Sequence, residues 1–204
     1  MNGDQPKSLG DPDHQAARRA RLTEPHVSAL TLFVEQVRHE RGCGPAVPYC
    51  DPADGGVRAD CLFLLEAPGP RAVQSGFVSR NNPDETAKNF MLLNEEARIP
   101  RSRTVTWNIV PWYIGGSGRI RSATPRDVEE GWPYLRRLVV LLPHLAVAVL
   151  VGRNAQRIRH RLTEARPSLR ILDCPHPSPL FVNRRPENRG RVLDALRTAM
   201  AALP

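Results

Sequence analysis

Residues 61–70 read Cys61-Leu62-Phe63-Leu64-Leu65-Glu66-Ala67-Pro68-Gly69-Pro70. Five consecutive apolar residues end at an acid and a Pro/Gly loop, the pattern of a short strand buried on both faces. Working outward, residues 84–97 carry a helical pattern, and Thr104-Val105-Thr106-Trp107 reads as a second strand. Thr124-Pro125-Arg126-Asp127 opens a helix to about Leu142 with a capping residue, a first-turn proline and an acid three residues on. Residues 146–151 form a third strand, 152–165 a helix, 169–172 a fourth strand and 187–201 the last helix. Short apolar strands that alternate with helices require crossover connections. The expectation is therefore an α/β three-layer sandwich with a central, mainly parallel four-stranded sheet flanked by helices.

Upstream, Val27, Leu30, Phe33, Val34 and Val37 recur at helical spacing and Gly42 ends the helix; residues 42–59 hold seven Pro or Gly and predict an irregular loop. Residues 1–23 are polar, proline-punctuated and arginine-rich, so a flexible tail is expected there and a single domain over 24–204. The 204 residues suffice for one sizeable core.

The net charge is +8, and eleven arginines against four acids after Gly152 supply +7 of it. A basic balance favours polyanionic partners, although abundant Arg, Ala and Pro equally suit codon bias and a solvated surface. The longest apolar stretch, 138–151, is interrupted by Pro143 and His144 and is shorter than the roughly 20 residues of a membrane span. The start lacks the basic segment and apolar run of a secretory signal, so a cytoplasmic protein with no membrane partner is expected. Cys43, Cys50, Cys61 and Cys174 contain no CxxC pair, and neither a disulfide framework nor a metal site is expected.

In parallel sheets ligands bind beyond the carboxyl ends of the strands. There the sequence places Glu66, Asn108 and His176, one carboxylate, one amide and one imidazole. An amide both donates and accepts, as a pyrimidine edge requires, and a neutral imidazole donates to a carbonyl oxygen that gains charge. Phe77 in the intervening loop can stack on a base taken out of a duplex. Singly each has an ordinary alternative: an exposed loop acid, a turn-satisfying amide, a packed phenyl ring and a surface histidine. Their joint placement at strand ends favours chemistry.

The segments Leu65-Glu66-Ala67-Pro68-Gly69 and His176-Pro177-Ser178-Pro179-Leu180 resemble the two signature motifs of the uracil-DNA glycosylase superfamily, and the likeness runs from about Cys61 to the C-terminus. The first is similar to the motif of the iron-sulfur branch, the second to that of the uracil-specific branch. Ser79-Arg80-Asn81-Asn82-Pro83-Asp84 and the 107–113 segment resemble a bacterial subgroup. The resemblance implies that Phe77 stacks on the base, with Ala67 beside it, and that Asn108 reads the uracil edge. His176 stabilises the departing anion, and Leu180, or alternatively Phe181, wedges into the stack. Arg184 and Arg185 hold phosphates, and the backbone at Pro68, Gly69 and Ser178 grips the strand.

Two departures matter. Ala67 stands where the uracil-specific branch has a water-activating aspartate; Glu66 is the nearest carboxylate and is taken for that role, with Asn81, Asn82 and Asp84 in reserve. Only Cys174 lies beyond the asparagine loop, so the iron-sulfur cysteine pattern is missing and no cofactor is expected. Cys174 reads as a packed thiol rather than a nucleophile. No lysine stands in these loops, which points to hydrolysis without a Schiff base. The resemblance implies an abasic site and free uracil as products, in base excision repair of single- or double-stranded DNA, and a monomer is expected because one active site with one wedge needs no second subunit. Alternatives are the same fold acting on hypoxanthine or xanthine, or a non-catalytic binder of uracil-containing or single-stranded DNA. A nucleotide-binding protein is disfavoured because no GxxxxGK[ST] loop or strand-following GxGxxG occurs. Gly115-Gly116-Ser117-Gly118 reads as a mobile DNA-facing loop.

Overall fold

The computed structural model describes residues 4–42, 44–116 and 121–204. Strands β1 (Tyr49–Cys50), β2 (Cys61–Leu65), β3 (Phe77–Val78), β4 (Thr104–Asn108), β5 (Val147–Val151) and β6 (Arg170–Cys174) alternate with helices α1 (Pro12–Ala20), α2 (Ser28–Arg41), α3 (Pro70–Ser75), α4 (Glu85–Glu96), α5 (Pro125–Val140), α6 (Arg159–Ala165), α7 (Pro179–Val182) and α8 (Glu187–Ala201). The main sheet is parallel throughout, in the order β4-β2-β5-β6.

The period-2 alternation of side chains sorts this sheet into two faces. Leu62, Leu64, Val105, Trp107, Ala148 and Leu150 share one core with Phe33 and Val34 of α2 and Leu135 and Leu138 of α5. Cys61, Phe63, Val147, Val149 and Cys174 share the other with Phe90 and Leu93 of α4 and Val192 and Leu196 of α8. The result is the expected three-layer α/β sandwich. The second strand runs one residue further than expected, to Asn108, and the fourth covers 170–174. The expected helix after β5 begins as a 3-10 turn, Ala155–Ile158, before α6.

Two local expectations change. The 42–59 loop is not wholly irregular: Tyr49 and Cys50 pair in parallel with Phe77 and Val78. The tail expected over residues 1–23 is replaced, from residue 4 onward, by packed structure. Asp11 caps α1 by accepting the Asp13 N–H, Leu9 is fully buried, and the Leu9 N–H donates to the Asn81 carbonyl at 3.0 Å. Arg18 of α1 is buried against Asp51. The segment looked frayed because its anchors are one leucine and charges whose partners lie dozens of residues away.

Those charges belong to a buried network. Arg101 contacts Asp51 at 2.7 Å and Asp54 at 2.8 Å, Arg80 contacts Asp54 at 3.1 Å, and Ser79 donates to Asp51. Desolvation works to raise the Asp51 pKa, but the charges of Arg101 and Arg18, with hydrogen bonds from Ser79 and the Ala53 N–H, hold it below the ordinary value. A depressed carboxylate pKa contributes stability above the unfolded-state value of about 4 that is lost as pH falls through the folded one. Arg101→Met should therefore lower unfolding free energy by about 3–5 kcal/mol in urea titrations at neutral pH. It should also flatten the acid-side loss of stability that the native protein shows below about pH 4.

Candidate functional site

A cavity of about 350 Å³ opens where the loops after β2, β3 and β6 meet the end of β4, bordered by Ala67, Pro68, Gly69, Thr106, Asn108, Asp84, Phe90 and His176. Its floor follows from strand geometry. Thr106 and Asn108 lie two apart on β4 and share a face, while Trp107 between them packs on the opposite side against Phe33. Asn108 is only 2% exposed; its Nδ2 and the Thr106 Oγ1 are buried without a hydrogen-bond partner. Leaving such a donor unpaired costs about 1–3 kcal/mol, and it stands at a cavity wall where a ligand can satisfy it.

His176 is held from three sides. Pro175 and Pro177 restrict its backbone, and the Pro177 carbonyl accepts from Asn89 Nδ2 at 3.0 Å. Gly152, at φ +87°, closes the space beneath: a Cβ there would lie 3.2 Å from His176 Cβ and Cδ2. Burial pushes the imidazole pKa below its ordinary 6.5, opposed by the charges of Glu66 and Asp84. The ring is therefore neutral at pH 7 and able to donate a hydrogen bond.

Glu66 is near this ring but is not among the cavity-lining residues; its carboxylate accepts the Ala123 N–H just before the Thr124 cap of α5. The assignment of Glu66 to the water thus meets a side chain already engaged in loop structure. Phe77 also departs from expectation. It is fully buried, 6.3 Å from the Tyr49 ring, and does not border the cavity, whereas its neighbour Val78 does. Pairing of β3 with β1 imposes alternation, so one of the two faces away. The aromatic that borders the cavity is Phe90 of α4.

Beside the cavity, α7 starts at the Ser178 cap and presents Leu180, which is 89% exposed. Phe181 is instead half-buried, with its carbonyl accepting from Asn188 Nδ2 at 2.7 Å and Arg191 above its ring. Arg184 and Arg185 are exposed on the same segment. The basic C-terminal quarter is not one free face: Arg159, Arg161 and Arg189 pair with Asp173, Glu129 and Glu96, and Arg157 and Arg166 bond backbone carbonyls.

Cys50, Cys61 and Cys174 are buried free thiols. Burial pushes Cys61 and Cys174 up to about 12, which makes a thiolate nucleophile at Cys174 untenable. Among the described residues no three His, Cys, Asp or Glu side chains come together as metal ligands. Cys43, and Ser117 and Gly118 of the glycine-rich loop, lie outside the described residues.

The segment 52–197 matches the family model described as the uracil DNA glycosylase superfamily. The chain belongs to that superfamily. No curated protein matches it. Membership makes this a glycosylase-type hydrolase domain with DNA as its substrate, and no helix among the described residues is long and apolar enough to cross a membrane.

Sequence reasoning brought Asn108, His176, Ala67, Pro68 and Gly69 to one cavity. It missed Thr106 and Phe90. Thr106 carries a readable signal, since it stands two residues before Asn108 on one strand; Phe90 carries none, because its face depends on how α4 packs. In a pH titration followed by NMR, the His176 ring should change charge below 6.5. A midpoint above that value would remove the neutral imidazole from the site.

Proposed function

We propose that the chain excises uracil from DNA by hydrolysing its N-glycosidic bond, leaving an abasic site and free uracil. The observation that supports this most is Asn108, whose Nδ2 is unpartnered at the wall of a cavity large enough for one base. Its Nδ2 donates to a base carbonyl and its oxygen accepts the ring N–H, a pattern that uracil presents and cytosine does not. His176, neutral at pH 7, donates to the carbonyl oxygen on which charge gathers as the bond breaks. Exposed Leu180 fills the gap in the stack left by the extruded nucleotide, and Arg184 and Arg185 meet the phosphates. Water is the nucleophile, since Lys7 and Lys88, the only lysines, stand outside the strand-end loops. One cavity with one wedge needs no second subunit, so the enzyme acts as a monomer.

Purified protein incubated with end-labelled oligonucleotides carrying one uracil, hypoxanthine or xanthine, then heated in alkali, should cut at uracil. Asn108→Ala should slow single-turnover excision about 10²–10³-fold. Cutting at hypoxanthine or xanthine alone would transfer the reading to another deaminated base; tight binding of uracil-containing DNA without cutting at any base would identify a binding module. Leu180→Ala should reduce excision from duplex far more than from single-stranded DNA, because only the duplex must be held open. Equal losses on both substrates would remove Leu180 as the wedge.

A further inference from the structure

On the reading that this chain removes a base with water, we propose that Asp84 is the carboxylate that positions and deprotonates the attacking water, in place of Glu66. The charges of both acids act on the His176 ring, but only Asp84 borders the cavity with Thr106, Asn108 and His176. Asp84 caps α4: its Oδ1 accepts the Ala87 N–H at 2.9 Å, and its Oδ2 has no hydrogen-bond partner among the described residues. One oxygen is therefore fixed to the scaffold while the other is available to a water. Glu66 has the reverse arrangement, with its carboxylate on the Ala123 N–H and outside the cavity wall. Ala67, which does line the cavity, contributes a methyl group.

The position of Asp84 is fixed on both sides. Its own N–H donates to the Asn82 carbonyl at 2.8 Å, and the Asn82 side chain bonds the Phe77 carbonyl and Ser75 Oγ. The loop that delivers it is locked in turn by Arg80 and Arg101 on Asp54 and Asn81. In the reaction the bond between sugar C1′ and the base nitrogen breaks, and its electron pair leaves with the base, where Asn108 and His176 receive the charge. The water oxygen bonds to C1′, one water proton stays as the new hydroxyl and the other passes to Asp84 Oδ2. That proton then leaves to the base anion or to solvent, so that one water is consumed and Asp84 is regenerated.

Single-turnover excision from a uracil oligonucleotide by native protein, Asp84→Asn and Glu66→Gln decides it. Asn still caps a helix, so Asp84→Asn should keep the native thermal midpoint and DNA affinity while slowing excision by about 100-fold or more. Glu66→Gln should retain far more activity. Asp84→Ser, which caps with a neutral oxygen, serves as the second variant where Asn disturbs folding, and should show the same loss. Native-like rates in a folded Asp84 variant, or an equal loss in Glu66→Gln, would overturn the assignment while native activity keeps the glycosylase reading intact. No excision by the native protein would overturn both.

Discussion

Asp51 and Asp54 are almost completely buried, and Arg18, Arg80 and Arg101 converge on them from three separate parts of the chain. An uncompensated carboxylate at such depth costs several kcal/mol, so neither acid can be accommodated until its arginines are in place. The network therefore acts as a constraint more than as a source of stability. It ties α1, the loop before β2, the segment between β3 and α4 and the turn before β4 into one arrangement. Asn81 extends it, bonding Arg101 at 2.6 Å and the Gln5 carbonyl at 2.8 Å. Ser79, Arg80, Asn82 and Asp84 border the cavity because this network fixes the loop that carries them.

The sheet supplies the second half of the site. Parallel strands all end on one side, and β2 and β4 pair so that Leu65 lies opposite Asn108. The Ile109 and Val110 N–H groups then donate to the Leu65 and Glu66 carbonyls at 2.8 and 3.0 Å, which continues the ladder into the loops. In the second turn of α5, a Cβ on Gly131 would sit 2.3 Å from the Ile109 carbonyl oxygen, so only glycine lets the helix press this loop into place. A rigid wall of this kind allows Asn108 to be desolvated without partners, since the backbone around it cannot relax to satisfy the amide.

What the sequence made legible follows from range of interaction. The strands at 61–65 and 147–151 are apolar runs whose burial needs no knowledge of neighbours, and Thr124 with Asp127 forms a local capping box that the structure shows in full. Asn108 and His176 were readable because position at a strand end follows from the strand. Phe77 was not: its orientation depends on a two-residue pairing with Tyr49 and Cys50, inside a loop whose glycines and prolines argued against any strand. The N-terminal segment was illegible for the same reason, since Leu9 and Arg18 find their partners 72 and 33 residues away. Glu66 was legible as a carboxylate near His176 but not as one committed to Ala123.

That commitment clarifies how a chain with Ala67 in its first strand-end loop can still serve dissociative chemistry. When the glycosidic bond breaks largely before water adds, the sugar carries most of a positive charge, and the demand on the protein is a fixed negative charge near C1′ more than a strong base. A carboxylate that caps a helix meets this demand, because the cap fixes its position and the helix N-terminus attracts negative charge. Asp84 has that environment at the head of the twelve-residue α4, and Glu66 does not. The same loop that the buried arginines fix thus brings a carboxylate to the cavity that the neutral His176 also borders, and the proposed reaction gives the first to the sugar and the second to the departing base. The imidazole stays neutral beside this charge because burial outweighs the acidic charges of Glu66 and Asp84, which leaves the ring a donor.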